Sequence, residues 1–493
     1  MTSRQLAAFF FTPLEPGHYR CNICEQTRKQ AARTGYTNLM SHLQSVHPTH
    51  GEEYAEFQAR NLTTLEVFGF VDEVTSHMYD WLRWIVERNL PLSEVETPLT
   101  RQLVRMRPTS VSTLKTYMAR VAARVGTIIA EEMGTCIGIM WDGWSCGTRH
   151  YVAVFVVYHG PNGPIERLIG LSPAEDGQTA DAQIEIMAAI LEVYGKTTRM
   201  IKFVVGDNCV TNQALATKLG VPLVGCASHR FNLAMVKYLT NSADLISQIR
   251  DLMTTLRLPN NAAQLALHTP LLAERSNATR WSSVWKMVDK YVRIRDAAKH
   301  VAAVEDILPR GNAHRRIVGL HAKLKELHSV CEKLQHHKRT LGEVRALFDA
   351  CIKKYPIMDS YLGEDAAIVH SPVFESAVVK ITSALPLSTA EQAALEPFRK
   401  SPSSEAQEPP PAGDFATQVL RQAKKPRRAQ PTMADYVALL GAVPPTSNRC
   451  ERLFSECKYV LELHRAAMHP ANFERLVFLK ANRDMWNAST LAP

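Results

Sequence analysis

Along residues 111–133, Val111, Leu114, Met118, Val121, Val125 and Ile128 recur three or four positions apart, the period of an amphipathic helix. Thr109 or Ser110, just after Pro108, supplies an N-cap. The pattern changes at residue 136. Cys136–Trp141, His150–Tyr158, Glu166–Leu171, Met200–Val205 and Val221–Cys226 are short apolar runs, some strongly β-branched, and they predict strands. Helical patterns at about 178–194 and at Asn212–Leu219 separate the later runs, and another follows His229. The order β-β-β-α-β-α-β-α joins three strands by short loops and the rest by crossover helices. It predicts a mixed five-stranded sheet.

Either side of this α/β stretch the periodicity is helical, over 52–135 and again over about 241–380. Ile317, Leu320, Leu324, Leu327, Cys331 and Leu334 keep heptad spacing. Gly319 and several His interrupt that stretch, so a core seam is expected there in preference to a dimeric coiled coil. Residues 397–430 are rich in Pro, Ser and Ala and predict a disordered linker. The linker ends in Lys424-Lys425-Pro426-Arg427-Arg428, a basic run of the nuclear-import kind. A final helical pair occupies about 448–482.

Composition narrows the class. The 493 residues suggest several domains and exclude a wholly disordered chain, with 46% hydrophobic and 21% charged residues. A net charge of +9 permits nucleic-acid binding without establishing it. The longest apolar run, around Val152 to Tyr158, falls far short of the roughly twenty residues of a membrane-spanning helix. Residues 1–14 lack the features of a signal peptide. An intracellular chain with its ten cysteines reduced is expected.

Near the N-terminus the spacing Cys21-x2-Cys24-x17-His42-x4-His47 offers two thiolates and two imidazoles. Zinc takes four such ligands in a tetrahedron. Leu39, Leu43 and Val46 give the second pair an apolar helix side, and Phe11 and Tyr19 can cover the metal. So small a domain has little core, so structural Zn2+ is expected to stabilise the fold itself. His50 is an alternative to His47. The spacing resembles the BED-type finger, a DNA-binding module. Arg28, Lys29 and Arg33 are candidates for phosphate contacts.

Three acids stand out in the α/β stretch. Asp142, in Trp141-Asp142-Gly143-Trp144-Ser145, is expected just after the first strand. An Asp-Gly hairpin turn does not fit, because the next strand starts only near His150. Asp207, in Val205-Gly206-Asp207-Asn208, is expected at the end of the fourth strand. It, Asn208 or Thr211 would cap the next helix. Strand carboxyl ends are where sites in α/β sheets gather. Glu451 follows Asn448 by three, the spacing of a capping box. As a set, three converging carboxylates repel one another unless cations neutralise them. Two divalent ions with oxygen ligands do so, and they suit phosphodiester chemistry.

These residues resemble the hAT transposases over nearly the whole chain. The Asp142 segment and Gly206-Asp207-Asn208 look like the family's first two catalytic motifs. Cys226-Ala-Ser-His229-Arg-Phe-Asn232-Leu233 is similar to its Cys-x-x-His motif. Thr279-Arg280-Trp281-Ser282-Ser283 looks like its Arg-Trp motif, and Asn448-Arg-Cys-Glu451-Arg452-Leu-Phe454-Ser455 is similar to its Ser-Glu-Arg-x-Phe-Ser signature. The tail from Arg465 through Met468-His-Pro470 to Phe478-Leu479-Lys480-Ala-Asn482 also fits. The resemblance implies a ribonuclease H-like sheet interrupted by a large all-α insertion, with an N-terminal zinc finger and a helical DNA-binding region. It implies these divisions: 1–50 finger, 52–135 helical region, 136–240 first part of the catalytic core, 241–396 insertion, 397–430 linker, and 431–493 dimerisation region completing the core. It implies Mg2+ or Mn2+ held by Asp142, Asp207 and Glu451, His229 near the scissile phosphate, and cut-and-paste transposition. Arg280 and Trp281 would contact DNA, Trp281 by stacking on an unpaired base. The expected partners are double-stranded DNA and further copies of the chain, in the nucleus and with no membrane. Cys226 beside His229 suggests a partial metal site. Leu453, Phe454, Val460, Leu476, Phe478 and Leu479 suit either an interface or a core. Asn448-Arg449-Cys450 departs from the family's small hydroxyl residues, and Ala434–Pro445 lacks its Trp-containing segment. Those departures motivate a second reading, a domesticated DNA-binding dimer without catalysis.

Overall fold

The computed structural model describes residues 3–15, 17–30, 35–54, 71–175, 177–277, 281–336, 339–400, 431–461 and 468–491. Arg33, Arg280, Arg465 and the basic run 424–428 lie outside them, as does 401–430 of the expected linker. The chain divides into two units, Met1–Ile129 with Glu456–Pro493, and Ala130–Ser455.

The finger opens with helix α1 (Ser3–Phe10). Strands β1 (Phe11–Glu15), β2 (His18–Cys21) and β3 (Thr27–Lys29) follow as an antiparallel sheet, and helix α2 (Thr37–Val46) completes it. Its core is a handful of side chains, with Phe10, Phe11, Leu39, Leu43 and Tyr54 buried.

Three helices follow: α3 (Glu73–Arg88), α4 (Pro98–Leu103) and α5 (Val111–Glu132). Asp72 caps α3 by accepting from the Val74 and Thr75 amides, each at 3.0 Å. Ser110, one of the two expected caps, caps α5, its Oγ accepting from the Thr113 amide at 3.1 Å. The α5 stripe runs Leu114, Met118, Val121, Val125, Ile129. Ile128 is 37% exposed, so the last contact falls one residue later than the pattern suggested. At period 3.6, steps of four carry the stripe onto 129.

The second unit holds strands β4 (Ile137–Cys146), β5 (Arg149–Gly160), β6 (Gly163–Pro173), β7 (Ile201–Gly206) and β8 (Leu223–Gly225), ordered β6-β5-β4-β7-β8. β5 runs antiparallel to both β4 and β6, and β7 and β8 join parallel. This is the mixed five-stranded sheet the sequence predicts. The crossovers carry helices α6 (Ala180–Val193) and α7 (Val210–Leu219), and helix α8 (Ala227–Leu239) leaves β8.

One expectation fails here. β4 does not stop at Trp141 but continues to Cys146, with Asp142 paired to Ala153. A two-residue turn at Gly147-Thr148, with Gly147 at φ +61°, leads straight into Arg149. The hairpin is therefore tight, but its turn lies five residues beyond Asp142-Gly143.

Beyond α8 the chain is helical: α9 (Ala243–Leu256), α10 (Pro259–Ala266), α11 (Trp281–Ala298), α12 (Gly311–Gln335), α13 (Leu341–Lys354), α14 (Pro372–Thr382) and α15 (Thr389–Leu395). The heptad residues Ile317, Leu320, Leu324, Leu327 and Leu334 are buried in one core with side chains of α8, α9 and α11. That is the internal seam expected of them. The first four residues of the expected linker are folded. Phe398 is fully buried against Phe374, and Arg399 bridges Tyr436, so 397–400 belong to the folded unit.

The chain then reaches helix α16 (Asn448–Val460), and the division between the two units falls within it. Helix α17 (Pro470–Ala481) completes the N-terminal helical unit. Lys480 donates to Asn89 Oδ1 at 2.7 Å. Arg483 lies over the Trp486 ring at 4.3 Å and bonds Glu87 and Tyr79, both at 2.7 Å. Residues 431–493 are thus not one region completing the sheet. Only the part up to Ser455 belongs with it. Leu453, Phe454, Val460, Leu476, Phe478 and Leu479 are all buried within the chain. No described helix is long and apolar enough to cross a membrane.

Candidate zinc centre and acidic site

Alternation along β2 turns Cys21 inward, and α2 turns His42 toward it. The result is a closed set. Cys24 Sγ lies 3.4 Å from His42 Nε2, and Cys21 Sγ lies 3.7 Å from His47 Nε2. A zinc tetrahedron with bonds of about 2.3 Å to sulfur and 2.0 Å to nitrogen has S···N edges of about 3.5 Å. The two observed edges bracket that value, so the four side chains fit zinc. Among the described residues this is the one group of three or more His, Cys, Asp or Glu whose ligand atoms lie within 4.8 Å of one another. His47 is the fourth member. His50 instead sits 2.8 Å from the His47 carbonyl and beside Phe10.

The basic candidates separate by strand alternation. Arg28 pairs with Tyr19 on the metal side and donates to His42 Nδ1 at 3.1 Å. Burial and this guanidinium hold His42 below the ordinary histidine range. Lys29 is exposed on the opposite side, and so is Arg20. Arg20 was missed, although its place one residue before Cys21 puts it outward by period two.

The acidic site is built by the sheet. Met140 of β4 pairs with Val205 of β7, and Asp142 and Asp207 each lie two residues further along these parallel neighbours. Asn212 of α7 ties the strand ends together. Its Oδ1 accepts from Trp141 Nε1 at 3.0 Å, and its Nδ2 donates to Asp207 Oδ1 at 2.6 Å. Asn212 was read only as the start of a helix. The helix begins at Val210 with Cys209 as its cap, so the capping expected of Asp207, Asn208 or Thr211 does not occur.

Glu451 arrives on α16, held by three contacts. The Ala227 amide donates to Pro445 O at 2.9 Å, and the Ser447 amide to Cys226 Sγ at 3.3 Å. Further on, Phe454 stacks on Trp144 at 5.8 Å and 16°. Glu451 precedes Phe454 by three on the helix, and Asp142 precedes Trp144 by two on the strand. Each spacing keeps the pair on one face. The same sheet face carries Phe155, under the Arg449 guanidinium at 5.6 Å. Between them Cys450 is wholly buried, and burial followed by the carboxylates of Asp142 and Glu166 pushes its thiol well up. Asn448 Nδ2 donates to the Leu334 carbonyl at 3.0 Å.

Asp142, Asp207 and Glu451 are half-buried and thus reachable by small ions. Their oxygens do not close to the 4.8 Å of the finger set. Three carboxylates nevertheless suit hard divalent cations, which take oxygen ligands and can be shared between two ions.

The remaining candidates are placed as follows. His229 lies half-buried in the first turn of α8, which starts two residues before it. Cys226 and His229 belong to no group of three or more ligand residues whose atoms lie within 4.8 Å of one another among the described residues. Cys226 is buried, its thiol raised by that burial, and it serves as the acceptor for Ser447. Trp281 is only 4% exposed and packs edge-on against Phe231 at 5.8 Å, so both ring faces belong to the helical core. Arg230 had no assigned role. It is buried, pairs with Glu375 at 3.1 Å, and donates to the Tyr361 and Gly363 carbonyls. Glu375 in turn accepts from the Gly225 amide, which anchors the end of β8.

No curated protein matches the chain. Residues 9–48 match the BED zinc finger, and this span contains all four zinc ligands. The N-terminal segment is therefore a BED zinc finger with a structural zinc site, which implies DNA binding.

Proposed function

We propose that the chain is a nuclear DNA-binding protein of the hAT transposase type. The finger docks it on double-stranded DNA, and the sheet supplies a metal-dependent phosphodiester-transfer centre. The observation that carries this reading is the Trp144–Phe454 stack: the helix that bears Glu451 packs on the strand that bears Asp142, and the parallel neighbour of that strand leads to Asp207. The strand order supports a ribonuclease H-like sheet, and the helices between α8 and α16 stand where the family's insertion would.

In this reading Asp142, Asp207 and Glu451 hold Mg2+ or Mn2+. Bound there, the ions would lower the pKa of an attacking water or 3′-hydroxyl and stabilise the departing oxygen. The chain's own part is positional. Asn212 fixes the Asp207 carboxylate, and α16 delivers Glu451. His229, in the first turn of α8, would stand near the scissile phosphate. Further copies of the chain would pair the two ends of the excised DNA. The basic run 424–428 would serve import.

The test is strand cleavage of duplex DNA carrying the gene's own flanks, by purified protein with Mg2+ or Mn2+. Cleavage that needs the ion and disappears in Asp142→Asn supports the reading. Duplex binding without cleavage, in both proteins, refutes it.

One observation favours the second reading, a DNA-binding protein that does not cut. The oxygens of Asp142, Asp207 and Glu451 do not close to within 4.8 Å of one another, the spacing that the finger's ligands reach. The same assay separates the two.

A further inference from the structure

A cavity of about 690 Å³ lies in the second unit, lined by the start of β6, His336, residues 339–341, α14, residues 440–446 and the first turns of α16. Three guanidinium groups line it: Arg339, Arg449 and Arg452. Against them stands one carboxylate of the lining, Glu166, with Arg449 Nε 3.7 Å from its Oε2. At that distance the contact is an ion pair without a hydrogen bond.

Two further observations bear on what this cavity takes. Arg339 Nε is buried and has no hydrogen-bond partner, although its Nη1 is paired to Glu343 at 2.8 Å. A buried orphan donor costs about 1–3 kcal/mol unless something accepts from it. Arg449 and Arg452 stand three residues apart on α16, so two like charges are neighbours on one helix face, and an anion at that face would offset their repulsion. Burial raises Glu166 above the ordinary carboxylate range, against the pull of both arginines. Apolar Leu341 and Val378 also line the cavity. The volume suits a small organic ligand.

We propose that this cavity is a phosphate-binding site in which Arg339, Arg449 and Arg452 hold a phosphate group and Leu341 and Val378 cover the sugar or base attached to it. Arginine's fork matches phosphate oxygens two at a time, which a lysine cluster would not do. The phosphate belongs to a free nucleotide or to a single DNA strand. Binding is expected whether or not the neighbouring acids catalyse anything.

The test is calorimetric titration of the full chain with inorganic phosphate, adenosine 5′-monophosphate and a short single-stranded oligodeoxynucleotide. Saturable binding of the mononucleotide is expected, weakened about tenfold or more in Arg339→Gln/Arg452→Gln and unchanged in Arg310→Gln, an exposed arginine outside the cavity. A mononucleotide that binds as well as the oligonucleotide identifies a free nucleotide as the source. An oligonucleotide that binds at least tenfold tighter, with the same arginine dependence, identifies a DNA strand. Thermal unfolding of the double variant checks that its fold is intact. The proposal is overturned if none of the three probes binds the wild type, or if the folded double variant binds them equally well.

Discussion

The finger takes its four ligands from residues 21 to 47, and the sheet takes its three acids from residues 142, 207 and 451. The finger's ligands close to within 4.8 Å of one another before any ion is considered. The acids are brought to one end of one sheet but held apart. The finger has a core of few side chains, so metal binding there would contribute folding free energy. The sheet is buried on both faces and does not need an ion to exist. Trp141 meets Asn212 on one face, and Trp144 meets Phe454 on the other. A local site is thus fixed by spacing and metal, and a dispersed one by the scaffold that collects it.

Removing zinc should separate the regions most sharply. Chelation, or Cys24→Ala, should unfold the finger and lower duplex affinity by about 100-fold or more, because metal binding there is folding free energy. Metal analysis should find one zinc per chain, and the far-ultraviolet signal of the remaining helices should stay. Loss of that signal together with zinc would break the comparison.

The reverse separation follows in the sheet. Asp142→Asn or Glu451→Gln should lower metal-dependent cleavage by roughly 1000-fold, about 4 kcal/mol in barrier, with duplex binding unchanged in a mobility-shift assay. Equal loss of binding would mean that the acids act in docking.

Scaffold truncations come next. Phe454→Ala and Trp281→Ala should each cost about 3–5 kcal/mol of unfolding free energy in denaturant titrations, because both side chains are buried. For Trp281 this decides between core and base stacking. A stacking residue would weaken DNA binding with little loss of stability.

The smallest effect concerns acid. Glu391 is buried and loses by desolvation, but Lys380, Ser388 and Ser376 outweigh that and hold it down to about 2. A carboxyl lowered in the folded state stabilises above its unfolded value, and the gain is lost as pH falls through the folded one. Glu391→Gln should therefore cost roughly 2 kcal/mol at pH 7, with the gap closing between about pH 4.5 and pH 2. A gap that does not change with pH would show that packing, not charge, sets the cost.

Much of this was legible in the sequence. The Cys-x2-Cys and His-x4-His pairs carry the finger, and five apolar runs carry the sheet and its connections. What was hidden depended on partners far along the chain. β4 looked finished at Trp141 because Asp142, Gly143 and Ser145 break the apolar run. Its extension pairs with β5, and Trp144 is covered by Phe454. Nothing near Asn212 reveals that Trp141 and Asp207 both bond to it. Residues 431–493 looked like a single C-terminal region, yet Arg483 finds its partners at Glu87 and Tyr79. Arg20 and Arg28 were within reach of a period-two reading of the finger's strands, which would have turned one out and the other in.

The most direct test of the account is whether the three acids serve one cation site. Mn2+ binding to the zinc-loaded full chain can be followed by the loss of the free-ion electron paramagnetic resonance signal. The account predicts saturable binding that Asp142→Asn, Asp207→Asn and Glu451→Gln each abolish or weaken at least tenfold. Binding that survives Glu451→Gln unchanged, or no binding by the wild type, would contradict it.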